Sequence, residues 1–264
     1  MQKIAIVTGG SSGIGRETAL ALAAHGCRVY IFSRHPTEIA GVRHIVCDVS
    51  DETAVLQAVQ AVAAQEGRVD ILVNNAGYGI SGAAEFTESA DAKRLLNVNL
   101  FGVVNGCKAV LPIMRGQGSG RIVNVSSFAA LTPIPFQAWY SVSKAAVSAY
   151  TAALRNEVRP FGIELCAVLP GDIHTGFTAA RVKNPVGDEL YGGRISKSVA
   201  VMEHDELTGM NPADAGRRIA AVALKKHVKP EYVLGFSYQA LSVLARLLPN
   251  RLKSRIIGRM YGGE

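Results

Sequence analysis

The chain has 264 residues, 48% of them hydrophobic, enough to bury a full core in the size range where one α/β domain is usual. Its 28 Lys and Arg against 21 Asp and Glu leave a net charge of +7, which suits an anionic cofactor, a phosphorylated ligand or an acidic surface. The basic residues are scattered until the C-terminal tail and only 6% of the chain is aromatic, so the pattern offers no stacking platform for nucleic acid. Cys27, Cys47, Cys107 and Cys166 lie far apart without a CxxC pair, which argues against a zinc site or a disulfide framework. The first apolar run is too short for a signal peptide and no apolar segment is expected to reach the ~18 residues of a membrane span, so a reducing cytoplasm is the expected location.

"KIAIVT" (3 to 8) is a short run rich in β-branched residues and ended by glycines, the pattern of a buried parallel strand. A helix is predicted from Ile14 to about His25. "CRVYIFS", "RHIVC", "DILVNN", "GRIVNVSS" and "GIELCAVLP" repeat the strand pattern, separated by predicted helices near 51 to 66, 88 to 115 and 139 to 159. Such alternation predicts right-handed crossovers and a doubly wound α/β fold, a parallel sheet of about seven strands with helices on both faces, in a single domain spanning 1 to 264. The alternation stops at about 172 to 211, a long irregular stretch just past the sixth strand's carboxyl end, where open sheets bind ligands; it reads as a substrate cap. A helix opening at Pro212 follows, then "EYVLG" as a seventh strand. From about 237 to 260 the chain is a basic amphipathic tail, broken at Pro249. Packing over the pocket or against another subunit is favoured for it over contact with a membrane surface.

Two constellations carry chemistry on their own terms. "TGGSSGIG" joins the first strand to its helix, and Gly9, Gly13 and Gly15 would let the backbone approach a pyrophosphate over a helix N-terminus, although the spacing GxxxGxG departs from the usual GxGxxG. In "WYSVSKAAVSAY", Tyr140 and Lys144 stand four apart at the start of a predicted helix, so phenol and ammonium share a face. A neighbouring positive charge favours phenolate and would bring Tyr140 toward proton transfer near neutral pH.

With "NNAG" (74 to 77), "NVN" (97 to 99), "VSS" (125 to 127) and "LPGDIHT" (169 to 175), these motifs resemble, in order and separation, the classical short-chain dehydrogenase/reductases, whose fold is of the Rossmann type. The resemblance implies Tyr140 as general acid in reduction and base in oxidation. It implies Lys144 on the nicotinamide ribose, Ser127 on the substrate oxygen with Ser126 as the adjacent alternative, and Asn99 holding a water linked to the lysine; Asn97 would point away. It places Gly9, Ser11, Ser12, Gly13, Ile14, Gly15, Asn75, Ala76, Gly77, Pro170, Gly171, Ile173 and Thr175 along the cofactor. Asp48 and Val49 match the adenine contacts, with Asp48 as N-cap of the next helix the rival reading. His174 reads as an exposed loop histidine. Where NAD enzymes carry an acid after the second strand, this chain has Ser33 and Arg34, and a guanidinium there suits the 2′-phosphate of NADP(H).

The apolar residues Phe128, Leu131, Ile134, Pro135, Phe136 and Trp139 are expected to form one wall of a substrate pocket, and Phe177, Leu190, Tyr191, Val201 and Met202 another. The function expected is interconversion of a secondary alcohol and a ketone on a medium or large apolar substrate, hydroxysteroid-like. A 3-oxoacyl thioester reductase and a non-catalytic NADP-binding sensor are the alternatives. A homodimer or homotetramer is expected from the resemblance.

Overall fold

The computed structural model describes residues 2–262. Its centre is a seven-stranded parallel sheet built from β1 (Ile4–Thr8), β2 (Arg28–Ser33), β3 (Val42–Val46), β4 (Ile71–Asn74), β6 (Gly120–Val125), β7 (Ile163–Leu169) and β9 (Glu231–Val233), in the order β3-β2-β1-β4-β6-β7-β9. Period-two alternation along these strands sorts their side chains into two layers. The register row Ile6, Leu72, Ile122 and Leu165 packs one face, while Val7, Val73, Val123 and Cys166 pack the other. Helices α2 (Glu52–Glu66), α4 (Gly102–Gln117) and α5 (Ala138–Val158) cover the first layer; α1 (Gly13–Ala24) and α8 (Pro212–Leu224) cover the second. Because both faces are covered, the central strands can be apolar on both faces, as the buried Ile4, Ala5, Ile6 and Val7 of β1 show.

Between β4 and α4 lie a two-residue strand β5 (Ile80–Ser81) and α3 (Ser89–Leu96), which continues through a π-helical turn at Asn97–Phe101 into α4. The sequence reading left out one property of this element. Ser89–Gln117 is long and apolar enough to cross a membrane by length and composition, contrary to the expectation that no segment would be. It is a core helix instead: it buries Asn99, Asn105, Cys107 and Met114 against the sheet and neighbouring helices, and Asn105 donates to the Val49 carbonyl at 2.9 Å.

The segment after β7 is more ordered than an irregular cap. It holds α6 (Phe177–Ala180), β8 (Val182–Lys183), which pairs parallel with β5, and α7 (Arg194–Leu207). The tail divides at Pro249 as expected, into α9 (Phe236–Leu247) and α10 (Asn250–Tyr261).

The sheet order reverses between β1 and β4, so their carboxyl ends flank a crevice, the usual ligand site of this architecture.

Candidate active site

A cavity of about 550 Å³ occupies that crevice and runs on beneath the C-terminal helices. Its floor is the β1–α1 turn. Gly9 has φ +65°, and a Cβ there would stand 2.8 Å from the Ala76 Cα, so this turn closes against β4 only without a side chain. At Gly15 a Cβ would come within 2.2 Å of the Gly9 carbonyl oxygen. The Thr8 hydroxyl oxygen accepts hydrogen bonds from the backbone N–H of Asn75 (3.0 Å) and Ala76 (3.2 Å), and the Asn75 amide donates to the Gly9 carbonyl at 3.3 Å, binding the two strand ends into one unit.

This unit fits a dinucleotide. Helices α2 and α8 are capped by the Asp51 and Asn211 side chains, but Ser12 at the head of α1 makes no side-chain cap bond. The N-terminal N–H groups of α1 therefore face the cavity without a side-chain acceptor, where a diphosphate would find them. Ser11, Ser12, Gly13, Ile14, Ser33, Arg34, Asp48, Val49, Asn75, Ala76, Gly77, Pro170, Gly171, Ile173 and Thr175 all line the cavity with Gly9, as read from the sequence; Gly15 sits one layer behind. Asp48 is not the N-cap of α2. Its carboxylate accepts from the N–H and hydroxyl of Ser50, while Asp51 caps the helix by accepting from Ala54 N–H at 3.0 Å. Arg34 is exposed at the end of β2 and has no hydrogen-bond or ion-pair partner among the described residues, whereas the Ser33 hydroxyl is held by His44 (2.8 Å) and the His35 carbonyl (3.1 Å).

At the other end of the crevice α5 brings Tyr140 and Lys144 under Ser127. Residue Ser127 is extended (φ −161°), its oxygen accepts from Ala129 N–H at 3.1 Å, and its hydroxyl lies beside the Tyr140 phenol, where it favours the phenolate. Ser126 is structural: it is buried, donates to the Lys144 carbonyl and bonds Ser148. The geometry thus separates the two serines that the sequence left adjacent.

The electrostatics correct one expectation. The Lys144 ammonium lies 5.7 Å from the Tyr140 ring centroid and donates to the Val125 carbonyl at 2.9 Å. Burial pushes the phenol up to about 12, with the Ser127 hydroxyl pulling it back, and burial pushes the lysine down to about 8. In the protein alone Tyr140 is therefore a protonated phenol rather than an incipient phenolate, because desolvation of the anion outweighs the Ser127 hydroxyl and the Arg181 charge that favour it.

Asn99 is fully buried in the π-helical turn, while Asn97 is exposed. Its amide donates to the Tyr78 carbonyl (2.9 Å) and the Ser143 hydroxyl (3.1 Å), and its Oδ1 accepts from Tyr78 N–H at 3.0 Å. Both amide protons are thus committed, so a water assigned to Asn99 from the resemblance would be held through its oxygen atoms. It ties the Gly77–Tyr78 loop to α5 beside Lys144. Gly77 keeps that junction tight, for a Cβ would lie 3.0 Å from Asn99 Oδ1 and 3.6 Å from Lys144 Nζ.

The substrate walls differ from those expected. Phe128 and Ile134 line the cavity, as do Phe177 and Met202, but Leu131, Pro135, Phe136, Trp139, Leu190, Tyr191 and Val201 do not. Phe136 and Tyr191 stack edge-to-face on each other (5.5 Å), and Leu190 projects into solvent at 81% exposure. The missing wall comes from the tail: Tyr238, Leu241, Leu244 and Leu248 of α9 and its end, and Ile256, Ile257 and Met260 of α10. Asp172 and Glu206 add carboxylates to the wall. Burial pushes Asp172 up to about 6 although the Tyr238 hydroxyl bonds it, and Glu206 is held by Arg181 and Thr178. His174 is exposed, as expected for a loop histidine.

A family model described as short chain dehydrogenase matches residues 3–185. The chain belongs to the short-chain dehydrogenase/reductases. A 3-ketodihydrosphingosine reductase of Bacteroides thetaiotaomicron is 43% identical over 228 residues, covering 85% of each chain. Among solved structures, a short-chain dehydrogenase from Streptomyces avermitilis superposes with TM-score 0.80 at 31% identity, covering 97% of this chain and 98% of its own. ElxO with NADP bound superposes with TM-score 0.76 at 26% identity, covering 91% of this chain and all of its own. This oxidoreductase accordingly shares with its family the interconversion of alcohols and ketones.

Proposed function

We propose that the protein is an NADP(H)-dependent ketone reductase acting in a reducing cytoplasm on an apolar long-chain substrate, with Asn99, Ser127, Tyr140 and Lys144 as its working residues. The observation that carries this reading is the continuity of the cavity from Ser127 and Tyr140 to the apolar faces of α9 and α10. The dinucleotide supplies hydride when bound. Ser127 donates a hydrogen bond to the carbonyl oxygen, and the protonated phenol of Tyr140 gives its proton to the same oxygen as negative charge develops there. Lys144 holds the nicotinamide ribose hydroxyls, while Asn99 positions the loop and helix on either side of it. Arg34, partnerless at the end of β2, reads the 2′-phosphate of NADP(H).

With Glu206 paired to Arg181, the carboxylate of Asp172 is the acid on the wall that favours a neutral or cationic head group over an anionic one. That, with the similarity to a 3-ketodihydrosphingosine reductase, moves the preferred substrate from a hydroxysteroid to a long-chain 3-keto lipid and away from thioesters on acidic carriers. The test is NADPH oxidation with long-chain amino ketones, 3-ketosteroids and 3-oxoacyl thioesters, with Tyr140→Phe as control. Turnover on the long-chain ketones, lost in Tyr140→Phe by about a thousandfold, is the expected result. Preference for steroids or thioesters would reassign the substrate, and NADPH binding without any turnover would favour the sensor.

A further inference from the structure

Helices α9 and α10 are amphipathic in the wrong direction for a tail that only closes a pocket. In α9 the fully buried residues are Ser242 and Ala245, and Tyr238, Leu241 and Leu244 turn toward the cavity. Phe236, Ala240, Val243 and Leu247 fall within about 60° of one another around the helix and are all exposed, Phe236 at 88% and Leu247 at 77%. Helix α10 buries none of its residues. Its Leu252, Ile256 and Met260 form an exposed row at i, i+4 and i+8 in which Ile256 and Met260 also rim the cavity, and Arg251, Arg255 and Arg259 form a parallel exposed row one residue ahead. Arg246 and Lys253 bring the basic residues between 236 and 262 to five, and that segment contains no Asp or Glu.

We propose that this face docks on an anionic lipid bilayer, the apolar rows entering the boundary between head groups and acyl chains and the arginine row lying on the head groups. Its composition and geometry are those of an interfacial helix pair: large apolar side chains without a protein partner, flanked by long cationic side chains whose stems can follow the apolar surface while the charge stays in the head-group layer. A second copy is a poorer occupant. A two-fold interface through this patch would bring together arginine rows with no acid on the segment to neutralise them. Docking also has a consequence for the cavity, whose lining includes Leu241, Leu244, Ile256 and Met260 from the same helices. Its mouth would face the acyl chains, so an apolar ligand could enter without crossing water. The proposal concerns the surface and does not rest on the choice of substrate.

The experiment is co-sedimentation of the full chain with vesicles of phosphatidylcholine alone or mixed with an equal amount of phosphatidylglycerol, at low and high salt. Binding to the mixed vesicles, weak binding to phosphatidylcholine alone and release by salt are expected. The triple variant Arg251→Glu, Arg255→Glu, Arg259→Glu should lose roughly a hundredfold in binding to the mixed vesicles. The variant Phe236→Ser, Leu247→Ser should lose binding at every salt concentration. None of these five side chains lines the cavity, so folding and solution activity should survive, as thermal melts and turnover on a soluble ketone would show. Equal binding to both vesicle types, or binding that neither variant alters, overturns the proposal. So does the absence of vesicle binding by a wild type whose oligomeric mass falls in the Phe236→Ser, Leu247→Ser variant, which would identify the face as a subunit interface.

Discussion

The dinucleotide half and the C-terminal half of the cavity are built on opposite principles. In the first, contacts are close: a Cβ at Gly9 would stand 2.8 Å and one at Gly15 2.2 Å from backbone atoms, and one at Gly77 3.0 Å from the Asn99 side chain. In the second, the wall is made by two helices that bury only Ser242 and Ala245 and set Tyr238, Leu241, Leu244, Ile256 and Ile257 against an open cavity. The family model ends at residue 185, so the tight half lies within the shared region and α9 and α10 lie beyond it. Close backbone contact is concentrated at the cofactor floor, and looser packing at the helices that roof the rest of the cavity.

Substitutions in the two halves should therefore fail differently. After Tyr140→Phe, the largest effect is expected from Gly15→Ala, whose Cβ would collide with the Gly9 carbonyl; the β1–α1 turn must shift, with dinucleotide binding lost in a titration and about 1–3 kcal/mol of stability lost with it. Arg34→Ala should weaken NADPH by about ten- to a hundredfold while sparing NADH, the difference made by charge-assisted bonds to the 2′-phosphate. Equal losses for both would remove Arg34 from cofactor choice.

Lys144 allows a thermodynamic test. Its folded pKa of about 8 lies below its ordinary value of 10.5, so between these values the unfolded chain binds more protons than the folded one, and this residue's contribution to stability rises with pH. The raised thiols of Cys47, Cys107 and Cys166 and the raised phenols act in the opposite sense at high pH, so the effect must be read as wild type minus Lys144→Met. From pH 8 to 9.5 that difference in unfolding free energy should climb by about 2 kcal/mol. A flat difference would mean that the buried ammonium titrates normally.

The smallest effect belongs to the C-terminal half. Tyr238→Phe should leave NADPH affinity unchanged, raise KM for an apolar ketone a few-fold, and shift any acid limb set by Asp172 upward from about pH 6, because the lost hydroxyl is the group lowering that carboxyl. An equal loss in NADPH affinity would place the Tyr238 hydroxyl in cofactor binding.

What the sequence displayed and what it concealed follow the same division. The glycine turn, Ser127, Tyr140 and Lys144 were legible because a strained loop and a helix spacing leave local marks, and so were the seven strands with their continuous apolar runs. Helix α7 was not, since its start is held by Asp188, whose carboxylate accepts from the N–H of Ile195 (2.9 Å) and Ser196 (3.2 Å) from several residues upstream rather than from the cap position. The pairing of β5 with β8 joins two-residue strands about a hundred residues apart, too short to show a period. The occupied Asn99 amide depends on Tyr78 and Ser143, which only the fold brings together. The amphipathic stripe of the tail was visible, but a stripe alone does not say which way it faces.

One glycine belongs to both halves. At Gly171 a Cβ would strike the Tyr238 ring at 2.2 Å, while a few residues on Thr175 lies against Gly13 of the dinucleotide turn. The loop after β7 is thus clasped on one side by the cofactor floor and on the other by α9, whose Tyr238 hydroxyl also holds Asp172. Any order that a dinucleotide imposes on this loop is transmitted to the roof over the substrate, so the kinetic order of binding should be compulsory, cofactor first, and product inhibition patterns should show it.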